Sequence, residues 1–374
     1  MDRVVFIPIV VRNVSVKISN KHILIHRPNE LSIQWAQRIV QHYAADARVF
    51  DVNVRSVDIG TSTRLRVDVC HDAVEAVPSQ WFVKTPSLAI KPRLITALPR
   101  FLHKEIKFYR SLSAHVPLKL PRILAAESLL CQGSTLVMSD LTENNFRPGL
   151  VSDALSVDQA GQVIRQLAKL HGHYWNKPNL LQTYRWLNGM SYQIENAMGT
   201  MMAYPLMRQG LRLAGGLVST MLSQPALTYA ANRRRYKHLL NSESRTLVHY
   251  DCHPGNLFWE GKEPGFLDWQ LVRMGEGVGD VAYFLATALE PELRRKHEKT
   301  LLSQYVNQLA MAGVPELNED RIFNRYQMHL TYPFEAMLVT LAIGDMMQKD
   351  ANLELIKRAT AAVEDHDSFA RLIN

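Results

Sequence analysis

The segment "LVHYDCHPGNLFW", Leu247 to Trp259, sets His249, Asp251, Cys252, His253 and Asn256 between two apolar flanks, and "GFLDWQ" follows with Asp268. Pro254-Gly255-Asn256 is turn chemistry in its own right, so the plainest reading is a polar hairpin turn. That reading leaves Asp251 and Asp268 unexplained, because carboxylates are seldom set in apolar strand contexts without a partner. A transition-metal hydrolase is the second reading, since alternation along a strand puts His249, Asp251 and His253 on one face. No second histidine cluster completes that site: His171 and His173, two positions apart, cannot share a helix face. Phosphoryl transfer is the third. Asp251 can accept a proton from an attacking hydroxyl, while the Asn256 amide and the Asp268 carboxylate suit a hard divalent cation.

The rest of the chain sets bounds on these readings. Its 374 residues suit two domains or lobes of roughly 100–200 residues each. The apolar run Val4 to Val11 contains Pro8 and falls short of the roughly 20 residues a membrane span needs. It has no charged lead-in or small-residue cleavage site, so no secretory signal is expected. Cys70, Cys131 and Cys252 form an odd, scattered set that fits neither a disulfide framework nor a Cys-x-x-Cys metal pair, and a reducing cytoplasm is the expected setting. The net charge of +8 permits contact with phosphate-rich partners. However, the densest basic run, Arg233-Arg234-Arg235 with Lys237 and His238, stands alone and reads as a solvated helix face. Neither nucleic acid nor membrane is expected as a partner.

Coarse periodicity divides the chain into an N-terminal extension (1–28), a sheet-rich lobe (29–138) and a mostly helical lobe (139–374). "NELSIQWAQRIVQHY" puts Leu31, Trp35, Ile39 and Val40 on one helical face. "VRSVDIG" and "RLRVDVC" alternate as strands around Gly60-Thr61-Ser62, and "QWFVK" ends a third strand at Lys84. The helix "FLHKEIKFYRSL" follows, then the strands "RILAAESL" and "STLVMSD". Beyond residue 143 the spacing turns helical, with "SVDQAGQVIRQLAKLHGHYW" and a methionine-rich stretch from Leu180 to Leu240. Methionines at that spacing fill core gaps or line an adaptable apolar pocket. The layout is an α+β fold with a small antiparallel sheet beside a helical lobe, and a cleft between lobes is where ligands tend to bind.

The order Asp251-x-x-x-x-Asn256 with Asp268 behind it, in "HYDCHPGNLFW…GFLDWQLVRMGEGVGDVAYFLA", resembles the catalytic and metal-binding segments of the aminoglycoside phosphotransferase and choline kinase group. Gln270 and the "LAKLHGHYW" helix are similar to its ecdysteroid-kinase-like branch. The resemblance implies a two-lobed protein-kinase-like fold and an ATP- and Mg2+-dependent transfer of the γ-phosphoryl group to a small-molecule hydroxyl acceptor, such as an aminoglycoside, macrolide or steroid-like alcohol. It makes Asp251 the base and Asn256 and Asp268 the magnesium ligands. His249 and His253 take supporting roles, and Asp280 ties down the loop through backbone hydrogen bonds. Lys84 would contact phosphate and pair with Glu105, with Lys91 and Lys104 as competitors. Gly60, Thr61 and Ser62 would form the phosphate loop, though the full Gly-x-Gly-x-x-Gly is absent, and the connector from Met138 to Asp140 would carry adenine. A kinase-shaped protein that binds nucleotide without turnover is the alternative, and a zinc hydrolase stands behind it.

Overall fold

The computed structural model describes residues 22–373 apart from 131, 178 and 316. Most of the predicted extension and Cys131 lie outside the described residues. The N-lobe is an antiparallel sheet of β1 (Val49–Ile59), β2 (Ser62–His71), β3 (Gln80–Pro86), β4 (Ile123–Leu129) and β5 (Gly133–Ser139), in the order β1-β2-β3-β5-β4. Side chains alternate across each strand. Leu65 and Val67 of β2, Val83 of β3 and Val137 of β5 share a core with Trp35, Ile39 and Val40 of α1 (Ile33–Tyr43), so one face of the sheet is covered and the other is left for the cleft. Ser32 caps α1 by accepting from Trp35 N.

The lobe begins before residue 29. Ile23 and Ile25 are buried in this core, where each side chain contributes about 1.5–3 kcal/mol. Ile23 N donates to Glu127 Oε2 at 2.7 Å and Trp35 Nε1 donates to Ile23 O at 2.9 Å. A helix absent from the sequence reading, α2 (Ile90–Ala97), follows β3. Its Ile90 and Leu94 are 75% and 69% exposed, so it carries no inward apolar stripe for periodicity to detect. Next comes α3 (Phe101–Lys107), which continues as one π turn over Phe108–Leu112.

The C-lobe opens with β6 (Arg147–Pro148) and α4 (Val157–Tyr174), whose start is fixed by a capping box of Ser156 and Gln159. The methionine-rich stretch forms α5 (Asn179–Thr183), α6 (Met190–Ala214), α7 (Thr220–Ala231) and α8 (Arg233–Leu239). Met207 is buried, whereas Met190, Met201, Met202 and Met221 are exposed. The polar loops hang between β7 (Thr246–Val248), β8 (Leu257–Glu260), β9 (Glu263–Phe266) and β10 (Arg273–Gly275). Helices α9 (Gly277–Ala288), α10 (Pro291–Met311), α11 (Glu319–His329), α12 (Thr331–Ile343), α13 (Lys349–His366) and α14 (Ser368–Ile373) complete the lobe. Among the described residues no helix is long and apolar enough to cross a membrane.

Candidate active site

Strand β7 pairs antiparallel with β10, and β8 with β9, so the loops 249–256 and 267–272 emerge side by side. Asp280, in the first turn of α9, holds the first loop from below. Its Oδ2 accepts from His249 N at 2.7 Å and its Oδ1 from Tyr250 N at 2.8 Å. A helix N-terminus favours a carboxylate there. His171 of α4 adds its Nε2 at 3.3 Å from Asp280 and is itself fixed by Tyr305.

Both ring nitrogens of His249 are engaged within the protein: Nε2 donates to Leu267 O at 2.7 Å, and Nδ1 accepts from Asp251 N at 3.2 Å. This sets a neutral tautomer and removes His249 as a zinc ligand. His253 accepts from Gly255 N through Nδ1 and turns Nε2 toward Asp251 Oδ1 at 3.9 Å. Burial holds its pKa below the usual histidine value.

Asp251 stands at the centre of the loop. Its Oδ1 accepts from the hydroxyl of Tyr283 at 2.8 Å, and its Oδ2 accepts from Asn256 Nδ2 at 3.1 Å. Asn256 Nδ2 also donates to Asp251 O, which leaves the amide oxygen as its ligand atom. Asp268, at φ 58°, lies 3.2 Å from Lys84 Nζ through Oδ2, while its Oδ1 is buried without a partner. An orphaned carboxylate oxygen and an amide oxygen, on segments joined by the Leu267 N to Asn256 O bond at 2.8 Å, are ligands that suit magnesium, which completes its shell with water and phosphate oxygens. No group of three or more His, Cys, Asp and Glu side chains set to hold a metal occurs among the described residues.

Of the three candidate lysines, Lys84 is the one that reaches this centre. Its Nζ lies 3.0 and 3.1 Å from the two oxygens of Glu105 on α3. Burial disfavours its charge, but Asp268 and Glu105 outweigh that and raise its pKa. Burial also pushes Glu105 up to about 7 against the pull of Lys84, and Asp268, though buried, is held low by Lys84. Phe108, just beyond α3, stacks on Trp269 with centroids 4.2 Å apart, which locks α3 to the Asp268 loop. Lys91 is exposed, and Lys104 turns to Glu195 instead.

Gly60, Thr61 and Ser62 form the β1–β2 turn, which is pinned rather than open. Gly60 N donates to Ser62 O at 3.0 Å, and Ser87 Oγ donates to Gly60 O at 2.7 Å. A Cβ on Gly60 would lie 2.9 Å from the carbonyl of Met346, so the turn touches the C-lobe. Met138 pairs with Phe82 across β3 and β5. The amides of Ser139 and Asp140 donate to Arg122 O and Gln80 O, so an adenine contact at this connector would use carbonyls. The Asp140 side chain is buried and bonded by Arg66 at 2.9 and 3.0 Å.

Beside the 249–256 loop lies a charged cluster that sequence alone does not reveal. Glu195 of α6 bonds Lys104 of α3 at 3.1 Å and also Arg273 of β10, which lies over the Tyr250 ring at 3.8 Å. Burial would raise the Glu195 carboxyl, but Arg273 and Lys104 bring it down to about 2. The solvated-face reading of the basic run needs correction. Arg233 and Lys237, one helical turn apart, both point inward, to Glu335 and to Asn196 and the Tyr192 ring respectively. Only Arg234, Arg235 and His238 face solvent. Tyr283 and His171 are further residues that positional reasoning could have found, since Asp280-x-x-Tyr283 share one face of α9.

The sequence profile of the phosphotransferase enzyme family matches residues 73–315. No curated protein matches the chain. Among solved structures, the Plasmodium vivax ethanolamine kinase aligns with TM-score 0.50 and 10% identity over 88% of this chain and 87% of that one, the same two-lobed kinase-like fold. Choline kinase LicA from Streptococcus pneumoniae aligns with TM-score 0.47 and 12% identity over 88% and 99% of the two chains. An aminoglycoside phosphotransferase from Alicyclobacillus acidocaldarius gives TM-score 0.42 and 14% identity over 87% and 93%.

Proposed function

The chain belongs to the phosphotransferase enzyme family, and on that premise we propose that it is a cytoplasmic kinase that uses ATP and magnesium to phosphorylate a hydroxyl of a small molecule, with no nucleic-acid or membrane partner. The observation that carries this reading is Lys84 Nζ lying between Glu105 and Asp268, within hydrogen-bonding reach of both. That contact joins the N-lobe sheet to the loop behind Asp251 and defines one cleft.

In this reading the acceptor hydroxyl attacks the γ-phosphorus in line and Asp251 takes its proton, while the bond from that phosphorus to the β–γ bridging oxygen breaks and ADP leaves with the electron pair. Tyr283 and Asn256 orient the carboxylate so that one oxygen cannot swing away from the attacking group. Lys84, aligned by Glu105, places a fixed positive charge against the non-transferred phosphates. Magnesium held by Asn256 and Asp268 would neutralise the charge on the phosphate oxygens. Asp280 keeps the loop backbone in place from beneath.

The acceptor flank carries Lys104, Arg233 and Arg273 against Glu195 and Glu335, while burial and the neighbouring arginines hold the Lys237 pKa well below its usual value. That balance favours a neutral or anionic alcohol over a polycationic aminoglycoside. The test incubates the protein with ATP, magnesium and a panel of hydroxylated compounds, following ADP release and a phosphorylated product by mass spectrometry. Product that forms undiminished with Asp251→Asn would overturn the base assignment. Tight ATP binding without turnover on any acceptor would favour the silent nucleotide-binding protein.

A further inference from the structure

The cleft face of the sheet carries two arginines from β2. Leu65 and Val67 enter the core beneath α1, so Arg64 and Arg66 stand on the opposite face, with Lys84 of β3. Arg66 is committed: it makes two bonds to Asp140 and lies 6.0 Å over the Phe82 ring. Arg64 has weaker ties. Its register partners are Asp58 and Lys84; Nη2 meets the exposed carboxylate of Asp58 at 2.7 Å, and Nε is buried with no acceptor. A Cβ on Gly60 would lie 2.9 Å from Arg64 Nη2, so the guanidinium rests directly against the β1–β2 turn. Its charge is felt across the cleft by Asp268 and His253.

A glycine-rich phosphate loop works by pointing several free backbone amides at the phosphates. This turn has a single glycine, whose amide is engaged by Ser62 O and whose carbonyl is held by Ser87. The Gly60 amide is thus spent within the turn, and a charged side chain on the same face would add what that amide does not supply. Arginine offers a planar fork of donors that matches phosphate oxygens, where lysine is a point charge.

We infer that Arg64 and Lys84 together form a side-chain subsite for the polyphosphate of the nucleotide, with Arg64 taking the place of the glycine amides. The inference rests on the phosphotransferase reading of the cleft. Nucleotides with a β-phosphate then gain affinity from Arg64, and the bare nucleoside gains none.

Calorimetric titration of the full chain with ADP and with adenosine, each with magnesium present, tests this. With Arg64→Gln, ADP binding should weaken on the order of tenfold to a hundredfold, the scale of a charge-assisted hydrogen bond, while adenosine binding stays within twofold. Arg64→Lys keeps the charge, loses the fork and should fall between the two; it also serves if the glutamine variant does not fold. An unchanged preference for ADP in Arg64→Gln, or full wild-type affinity in Arg64→Lys, overturns the Arg64 assignment alone. Equal losses for ADP and adenosine would make Arg64 structural and also overturn it. A wild-type chain with no preference for ADP over adenosine removes the phosphotransferase reading and this subsite with it.

Discussion

Replacing Tyr283 with phenylalanine takes one hydroxyl from the site and leaves the ring. The hydroxyl donates to Asp251 Oδ1 at 2.8 Å, and burial keeps the phenol protonated well above its usual range, so it is a donor at any assay pH. The ring is 1% exposed and packs 5.5 Å from Tyr332, so Phe fills the same space. A hydrogen bond to an ionised acceptor is worth about 1.5–3 kcal/mol. If that bond orients the base, its loss falls on the chemical step: kcat drops roughly ten- to a hundredfold while KM for ATP stays within about twofold. Steady-state kinetics on an accepted substrate gives the split. A double-mutant cycle sharpens it, because Tyr283→Phe should have little further effect once Asp251 is Asn. A kcat within twofold of wild type, or the same loss in the Asp251→Asn background, would refute the argument that Tyr283 acts through the base.

Three other perturbations probe the supports. Glu195 is held at about 2 against an ordinary 4.5, so its stabilising share is complete above about pH 4.5 and is lost as pH falls toward 2. That share is on the order of 3 kcal/mol, and Glu195→Gln should lower the urea midpoint at pH 7 and flatten its decline below pH 5; an unaltered acid limb would count against the cluster. Gly60→Ala puts a methyl group 2.9 Å from the Met346 carbonyl, which must cost about 1–3 kcal/mol unless the turn lifts off the C-lobe. A raised KM for ATP with a lowered Tm is expected, and unchanged values of both would show that the contact carries no energy. Asp280→Asn turns an amide N–H2 toward one of two buried backbone donors, His249 N or Tyr250 N, at about 1–3 kcal/mol and with a large loss of kcat. Wild-type turnover in that variant would mean the loop does not depend on Asp280.

What the sequence disclosed and what it hid divide along sequence distance. Asp251, Asn256 and Asp268 lie within eighteen positions of one another, so turn chemistry and strand alternation were enough to link them, and family order supplied Lys84 and Glu105. Arg64 and Glu195 depend on register and long-range packing. Nothing local says that β2 turns Arg64 toward Lys84, or that α6 lays Glu195 between α3 and β10. Arg233 and Lys237 show the same limit differently. Helical periodicity says that they share a face and not whether that face meets water or Glu335. At the other end of the sheet, Ile23 and Ile25 read as part of the extension, because a two-residue apolar alternation carries little signal without the core it enters.

Glu195 also ties α6 to the segments that carry Glu105 and Asp268. It sits on α6, yet its two oxygens hold Lys104, next to Glu105 in α3, and Arg273, five residues beyond Asp268. The Phe108–Trp269 stack joins the same two segments a turn away. The position of Glu105, and so the alignment of Lys84, is therefore set jointly by a ring stack and by a carboxylate contributed from α6. Breaking a buried pair by removing one member leaves the other charge uncompensated, a cost of roughly 3–5 kcal/mol. Removing the Glu195 carboxylate would leave the Lys104 and Arg273 cations without their shared partner.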